Sequence, residues 1–209
     1  MSKPCQHQLV ATKRILRFLR GTLHLGIYFK LGPLSLLAYC DANWVGDPLD
    51  RRSITSMVVF LGDSPITWSA KKQSVVSRSS TEAEYRSLAI ITAELYWLRM
   101  LFKDLGIYLY HPPILWCDNV SALALASNPI FHARTKHIEV DCHFVHEKVL
   151  NRDMVLKYIS TLDQLADLFT KSLSSPRFRV LSFKLIGLPP LCLRGMSRMI
   201  VLIDRKSVV

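Results

Sequence analysis

The chain has 209 residues, 50% of them hydrophobic and 21% charged, so it suits one globular domain with a buried core and is not a disordered protein. Lys and Arg number 27 against 16 acidic residues, which gives a formal net charge of +11. This surplus favours a polyanionic partner, nucleic acid above all, over an anionic membrane surface.

The spacing of the cysteines and the hydropathy of the chain indicate where in the cell we expect the protein. The five cysteines occur singly, without a C-x-x-C pair, which is typical of reduced thiols in an intracellular protein. No apolar run reaches the length of a membrane span, and the N-terminus lacks a signal-peptide core. We therefore expect the cytoplasm or the nucleus, with no membrane partner and no obligate protein partner.

The first half of the chain predicts two helices around a strand meander. Residues 6–21 form an amphipathic helix with basic residues on one side, and a second helix covers 81–105 before Gly106. Between them, residues 35–44 read as a strand, and 53–62 and 64–72 form a hairpin around Gly62-Asp63.

The second half alternates strands and helices. Residues 114–119 form an almost unbroken apolar run, typical of a strand covered on both faces. Helical segments at 119–127 and 136–150, a strand at 154–160 and a last short helix at 161–173, with Thr161 or Asp163 as N-cap, complete the order. The pattern predicts an α/β fold, a mixed five-stranded sheet with helices on its faces.

Glu84 lies in line with the apolar face of the helix at 81–105. Apolar residues recur after it at Leu88, Ile91, Leu95 and further along the same face. One interpretation is helix capping, since Thr81-x-x-Glu84 and Ser79-x-x-Glu82 both resemble capping boxes. The other is a functional carboxylate, because an ionised group that faces a core needs a partner or a metal.

Three further acidic residues occur where apolar residues are expected. Asp41 follows the apolar part of the first strand, Asp118 ends the strand at 114–117, and Asp167 lies in the last helix. In open α/β sheets, sites form beyond the carboxyl ends of strands. Converging carboxylates repel one another unless cations neutralise them. All-oxygen ligation favours two Mg²⁺ or Mn²⁺ ions, which activate water for phosphoryl displacement, and does not favour zinc. The sequence therefore predicts a metal-dependent nuclease.

Five blocks resemble, in order, the ribonuclease H domain of copia-type long-terminal-repeat retrotransposon Pol polyproteins. They are "DANWVGDPLDRRS" (41–53), "WSAKKQSVVSRSSTEAEYRSLA" (68–89), "LWCDN" (115–119), "FHARTKHIEVDCHFVHEKV" (131–149) and "DQLADLFTKSL" (163–173). "KRILRFLRGT" (13–22) resembles the end of the preceding reverse-transcriptase connection. The resemblance implies a ribonuclease H-like fold over 30–186, a connection remnant over 1–29 and an unassigned tail at 187–209.

The resemblance also implies an activity and a site. The family's metal-binding tetrad falls on Asp41, Glu84, Asp118 and Asp167, which leaves the capping role to Glu82. The implied reaction is hydrolysis of the RNA strand of an RNA–DNA hybrid with two Mg²⁺ or Mn²⁺ ions. The partners are then the hybrid and a reverse-transcriptase domain of the parent polyprotein, of which the chain is a fragment or the product of a truncated element.

The chain departs from the family's pattern at three places. Asn43 stands where the family usually has Asp, and Ser56 where it usually has Gly. Neither belongs to the tetrad, so we expect small effects. The segment "YISTLDQLAD", which ends at Asp167, carries no His, a residue that some ribonucleases H use in product release. We therefore expect either slower turnover or another group in the role of that His.

Substrate contacts are assigned from the basic loop before the second helix. An RNA–DNA hybrid has a helix close to the A-form, so a protein recognises it by groove shape, phosphates and 2′-hydroxyls rather than by base edges. The candidate substrate contacts are Lys71, Lys72, Gln73, Arg78 and Asn119, and an ordinary solvated loop is the alternative for each.

The tryptophans at 44, 68, 97 and 116 are expected mainly in the core rather than as base-stacking platforms.

Two other functions remain open from the sequence. A catalytically inactive or domesticated remnant would bind nucleic acid, or only fold, although all four acidic residues are present. A phosphatase on a related α/β sheet is disfavoured, because its nucleophilic aspartate motif is missing.

Overall fold

A mixed five-stranded sheet with the strand order β3-β2-β1-β4-β5 carries the fold. The computed structural model describes residues 5–23, 26–47, 49–127 and 138–186. The strands are β1 (Leu36–Asn43), β2 (Ile54–Leu61), β3 (Ser64–Lys72), β4 (Ile114–Cys117) and β5 (Val155–Tyr158). The helices are α1 (Gln6–Thr22), α2 (Ser80–Asp104), α3 (Val120–Ser127), α4 (Glu139–Leu150), α5 (Asp167–Thr170) and α6 (Ser175–Ile186).

Strand direction changes in the middle of the sheet. β1, β2 and β3 form the predicted antiparallel meander, and β4 runs parallel to both β1 and β5. The apolar sequence of β4 matches this central position, because a parallel strand is covered on both faces. The predicted α/β fold with a mixed five-stranded sheet is confirmed.

Helices pack on both faces of the sheet, as the alternation along β1 shows. Leu36, Ala38 and Cys40 belong to the core that includes buried residues of α2, α3 and α4. Leu37 and Tyr39 point the other way, into a smaller core beneath α5 and α6. The sheet end that carries Asp41 therefore lies between two sets of helices.

Helix α2 begins as the sequence predicts. The Ser79 side chain accepts a hydrogen bond from the Glu82 amide at 3.2 Å, and Glu82 accepts one from the Arg78 amide at 2.9 Å. Glu82 therefore has the predicted capping role. Glu84 lies two residues after Glu82, on the buried side of the helix and in line with Leu88.

The predicted helix over 161–173 is wrong. The chain instead forms a short 3₁₀ turn at Thr161–Asp163, an extended residue at Gln164, and then α5. The cap of the 3₁₀ turn is Ser160, not Thr161 or Asp163, since its side chain accepts from the Leu162 amide at 3.3 Å. Gln164 is fully buried and donates to the Cys40 carbonyl at 2.8 Å, which interrupts the helix and ties this segment to β1. Helix α6 was not predicted.

The tryptophans are less buried than predicted. Trp44, Trp68 and Trp97 are each about half exposed, at 46%, 46% and 54%, while Trp116 is partly covered and stacks on Tyr39. A core location for the first three is therefore wrong. A large ring packs one face and one edge against its neighbours and leaves the remainder in water.

Residues Phe29–Leu185 form one compact unit, which contains the sheet. Helix α1 lies outside that unit and matches the helix predicted over 6–21. The tail at 187–209, residues 1–4 and the part of the fourth resemblance block over 131–137 lie outside the described residues. Within the part of the chain that is described, no helix combines the length and apolar character needed to cross a membrane.

Gly62 at the β2–β3 turn is expected to be intolerant of a side chain. Its φ is +58°, and a Cβ would lie 2.8 Å from the Pro33 carbonyl oxygen. Gly106 has φ +75° with nothing within 4 Å of such a Cβ, so it isolates the backbone cost. We expect Gly106→Ala to lower the free energy of unfolding by about 1–2 kcal/mol, and Gly62→Ala to lower it further. Urea denaturation of both variants measures the difference, and equal losses would contradict the clash with Pro33.

Candidate active site

The four predicted acidic residues come from four different elements at one end of the sheet. Asp41 lies near the end of β1, Glu84 in the first turns of α2, Asp118 directly after β4, and Asp167 at the start of α5. Asp41 and Asp167 are fully buried, and Glu84 is 7% exposed. Burying carboxylates is costly without compensating charge, so their surroundings decide what the site does.

Lys171 joins Asp41 to Asp167. Its ammonium lies 2.8 Å from Asp41 Oδ1 and 2.7 Å from Asp167 Oδ1. Burial alone would lower the pKa of Lys171, but the two carboxylates together raise it above its usual range. The lysine therefore stays charged and compensates both buried acids. Thr170 adds a hydrogen bond from its hydroxyl to Asp41 Oδ2 at 2.9 Å.

Arg177 extends these contacts to Asp118. Its guanidinium donates to Asp167 Oδ2 and to the Thr161 carbonyl, and the Thr161 hydroxyl donates to Asp118 Oδ2 at 3.0 Å. Burial raises the pKa of Asp167, while the neighbouring cations act in the opposite direction. A continuous series of polar contacts thus connects Asp118, Asp167 and Asp41.

No side-chain cation of the described residues pairs with Glu84. Its Oε2 atom is buried and accepts no hydrogen bond from the described residues. Burial, followed by the charges of Asp41, Cys117 and Asp118, raises the pKa of Glu84 to about 10, and a hydrogen bond from the Ala42 backbone only partly opposes this. The charges of two other predicted acidic residues, Asp41 and Asp118, therefore act on Glu84. With a pKa raised this far, Glu84 is protonated at neutral pH in the metal-free protein.

The arrangement fits a divalent cation. Among the described residues, the buried Oδ1 atom of Asp118 lacks a hydrogen-bond partner, as Glu84 Oε2 does. Ligand atoms of Glu84, Cys117 and Asp118 all lie within 4.8 Å of one another. Carboxylate oxygens left without donors in a buried site are suitable ligands for Mg²⁺ or Mn²⁺. The structure therefore brings these acids together in a form that an ion would stabilise.

Sequence reasoning missed the residues that organise the acids. Lys171 and Arg177 compensate Asp167, while Thr161 and Thr170 orient Asp118 and Asp41. Lys171 follows Asp167 by four residues, a helical spacing at which opposite charges meet, so this pair was detectable from the sequence. Arg177 was not, because it lies on a helix that the pattern did not predict.

Asn43 and Ser56, two of the three departures from the family's pattern, both contact the segment around Asp167. The Ser56 hydroxyl donates to the Ala166 carbonyl at 3.0 Å, and the Asn43 amide donates to the Thr170 carbonyl at 3.3 Å. These bonds hold the residue before α5 and the last residue of α5. Asn43 and Ser56 are thus positioning residues.

The predicted substrate contacts fall into two groups. Lys71, Lys72 and Arg78 are exposed, although Lys72 pairs with Asp47 and, at 3.1 Å, with Asp50.

Gln73 and Asn119 have internal partners. Gln73 is 5% exposed and donates to Thr55 Oγ1 and the Ala83 carbonyl, which argues against its contact with a substrate. Asn119 Oδ1 accepts from the Ala122 amide at 2.9 Å and thereby caps α3.

Replacing Lys171 tests its compensation of the buried acids. We expect Lys171→Gln to lower the free energy of unfolding of the metal-free protein by about 1–3 kcal/mol, below the loss for a fully buried pair because the lysine is 33% exposed. Lys184→Gln removes an exposed pair with Asp163 and is the matched control, with a loss of at most about 1 kcal/mol. Urea denaturation in EDTA measures both, and losses of equal size would contradict the assignment.

Glu84 makes the stability of the metal-free protein depend on pH. Its folded pKa of about 10 lies above the ordinary value of 4.5, so its stabilising contribution is full below pH 4.5 and is lost as the pH rises towards 10. Glu84→Gln keeps a neutral side chain at every pH. We therefore expect the variant to gain stability relative to wild type between about pH 5 and pH 9, by more than 1 kcal/mol. Unfolding in EDTA at both pH values measures this.

Asp104→Asn, at the exposed end of α2, is the control for the Glu84 experiment. Its difference from wild type should stay constant over the same pH range. A constant difference for Glu84→Gln as well would show that the carboxyl group titrates normally, against the prediction.

Comparison with known proteins places the chain among transposon polyproteins. It is 49% identical over 195 residues to the retrovirus-related Pol polyprotein from transposon RE2 of Arabidopsis thaliana, a match that covers 92% of the chain. The corresponding polyprotein from transposon RE1 of the same plant is 48% identical over 186 residues, or 88% of the chain. The chain spans only 13% of the length of each of these relatives.

The solved structures to which the fold of this chain is similar include ribonucleases H. LC11-RNase H1, isolated from compost by a metagenomic approach, is 13% identical, with a TM-score of 0.46 and coverage of 64% of this chain and 91% of that one. No profile of a known protein family matches the chain. By its sequence relatives, the chain belongs to the retrovirus-related Pol polyproteins from transposons, as the homologue of one short segment of them.

Proposed function

We propose that the chain is a ribonuclease H that hydrolyses the RNA strand of RNA–DNA hybrids with two Mg²⁺ or Mn²⁺ ions. The observation that carries this proposal is the group of the buried Asp41, Glu84 and Asp167 with the half-buried Asp118, in which Glu84 and Asp118 each keep an oxygen without a hydrogen-bond donor among the described residues. The resemblance of the sequence blocks to ribonuclease H domains supports the same reaction.

The four carboxylates would hold the ions. When bound, the ions supply an activated water and stabilise the departing oxygen of an in-line displacement at phosphorus. Glu84 must release its proton to become a ligand, since its pKa is raised to about 10 by burial and by the neighbouring acids. Metal affinity is therefore expected to increase with pH over the neutral range.

The other residues of the site keep the carboxylates in place. Lys171 compensates Asp41 and Asp167 before any ion arrives, and Arg177 fixes Asp167 against the 3₁₀ turn. Since the segment 158–167 carries no His, product release has no histidine from that segment to assist it.

The basic surface would bind the hybrid through its backbone. Lys71, Lys72 and Arg78 are exposed on the loop and strand end that precede α2, and the net charge of +11 attracts a polyanion. Within a parent polyprotein, residues 30–186 would be the nuclease domain and 1–29 the end of a reverse-transcriptase connection. The reverse-transcriptase domain is then the partner that delivers the hybrid.

Cleavage of an end-labelled RNA–DNA hybrid tests the proposal. The chain should cut the RNA strand in Mg²⁺ and not in EDTA, and Asp118→Asn should reduce the rate at least about 100-fold. Asp104→Asn removes a carboxylate from the exposed end of α2 and should leave the rate unchanged.

Hybrid binding, measured in EDTA at several salt concentrations, separates the alternatives. Salt-sensitive binding without cutting in any metal would favour a remnant that only binds nucleic acid. Full activity of Asp118→Asn would contradict the assigned site, provided that circular dichroism shows the variant folded.

A further inference from the structure

A thiol lies beside Glu84 and Asp118, the two carboxylates of which one oxygen each has no hydrogen-bond donor among the described residues. Cys117 is the last residue of β4, is fully buried, and directly precedes Asp118. Its Sγ atom, an oxygen of Glu84 and an oxygen of Asp118 lie within 4.8 Å of one another. We propose that Glu84, Cys117 and Asp118 form a site for a thiophilic divalent cation, of the class of Zn²⁺, Co²⁺ and Cd²⁺.

The ligand geometry supports this site. A zinc-type ion lies about 2.3 Å from a thiolate sulfur and about 2.1 Å from a carboxylate oxygen, so two of its ligand atoms are at most about 4.4 Å apart. The three ligand atoms, which all lie within 4.8 Å of one another, are thus close to the spacing that such an ion requires. The buried Oε2 atom of Glu84 has no donor among the described residues and is available as a ligand.

The backbone of Asn119 contacts the Cys117 thiol. Its amide donates to Sγ at 3.4 Å, and its carbonyl oxygen lies 3.9 Å from Sγ. The thiol proton leaves to the buffer as the metal–sulfur bond forms, and no oxidant or reductant takes part.

Sulfur changes which ion the site prefers. Mg²⁺ takes oxygen ligands and retains several waters, whereas thiolates select softer ions. A thiophilic ion at Glu84 and Asp118 would occupy two of the carboxylates that the proposed ribonuclease H needs for Mg²⁺. The inhibition that such an ion would cause rests on the proposed function, but the binding of the ion to Glu84, Cys117 and Asp118 does not.

The absorption spectrum of bound Co²⁺ shows directly whether a sulfur atom is among its ligands. The reduced, metal-free chain is titrated with Co²⁺, and the sulfur-to-cobalt charge-transfer band in the ultraviolet is recorded. We expect one band in the wild type, its loss in Cys117→Ser, and an affinity for Co²⁺ at least about tenfold weaker in that variant. Cys142→Ser removes another fully buried thiol, on α4, and should leave the band unchanged.

Wild-type protein alone also tests the proposal, in case Cys117→Ser does not fold. Excess Zn²⁺ should abolish the band, because ions of the same class use the same three ligands. No charge-transfer band in the wild type, a band that persists in folded Cys117→Ser, or a band indifferent to Zn²⁺ would each overturn it. The spectrum does not depend on catalysis, so an inactive chain with the band would refute the ribonuclease and leave the thiophilic site standing.

Discussion

Repulsion among buried carboxylates governs one end of this molecule. Asp41 and Asp167 are both fully buried, and the Lys171 ammonium between them supplies the charge that makes their proximity tolerable. Helix α5 has only four residues, Asp167–Thr170, too few to be stable by itself. It is held by its contacts with β1, β2 and α6, and the ion pairs of Asp167 are among these contacts. The electrostatics of the site and the local fold therefore depend on each other.

The positive charges of the site compensate the four carboxylates unequally, and the proposed chemistry of the site follows from this difference. Lys171 serves Asp41 and Asp167, and Arg177 reaches Asp167 and, through Thr161, the neighbourhood of Asp118. Glu84 receives a backbone hydrogen bond but contacts no side-chain cation in the described part of the chain, and its pKa is raised to about 10 by burial and by its acidic neighbours. A proton satisfies Glu84 in the metal-free protein, and in the proposed ribonuclease H a divalent cation would replace that proton. The described residues thus neutralise most of the cluster and leave a deficit of positive charge on the side of Glu84 and Asp118.

The sequence predicted the sheet and the position of the acids because both follow from local pattern. Alternation and apolar runs marked the strands, and Glu84 was detectable because it interrupts an apolar helix face. The segment after residue 160 was predicted wrongly, because the buried amide of Gln164 bonds to β1, and no local pattern reveals a bond between residues 124 positions apart. For the same reason Arg177 could not be assigned to Asp167 from the sequence. Tertiary contacts decide such segments, whereas propensity alone favours a longer helix.

Asn43 and Ser56 show how this chain accommodates its departures from the family's pattern. An aspartate at position 43 would bring another carboxylate next to a strand end that already carries Asp41, whereas the Asn43 amide can donate to the Thr170 carbonyl. A glycine at position 56 would offer no hydroxyl to the Ala166 carbonyl. Both residues therefore replace what the family has by a hydrogen-bond donor, and the two bonds hold opposite ends of α5. Since Asp167 is the first residue of α5, the hydrogen bonds of Asn43 and Ser56 help to keep its carboxylate directed at Lys171. Neither Asn43 nor Ser56 can serve as an anionic ligand, but both support the geometry of the site.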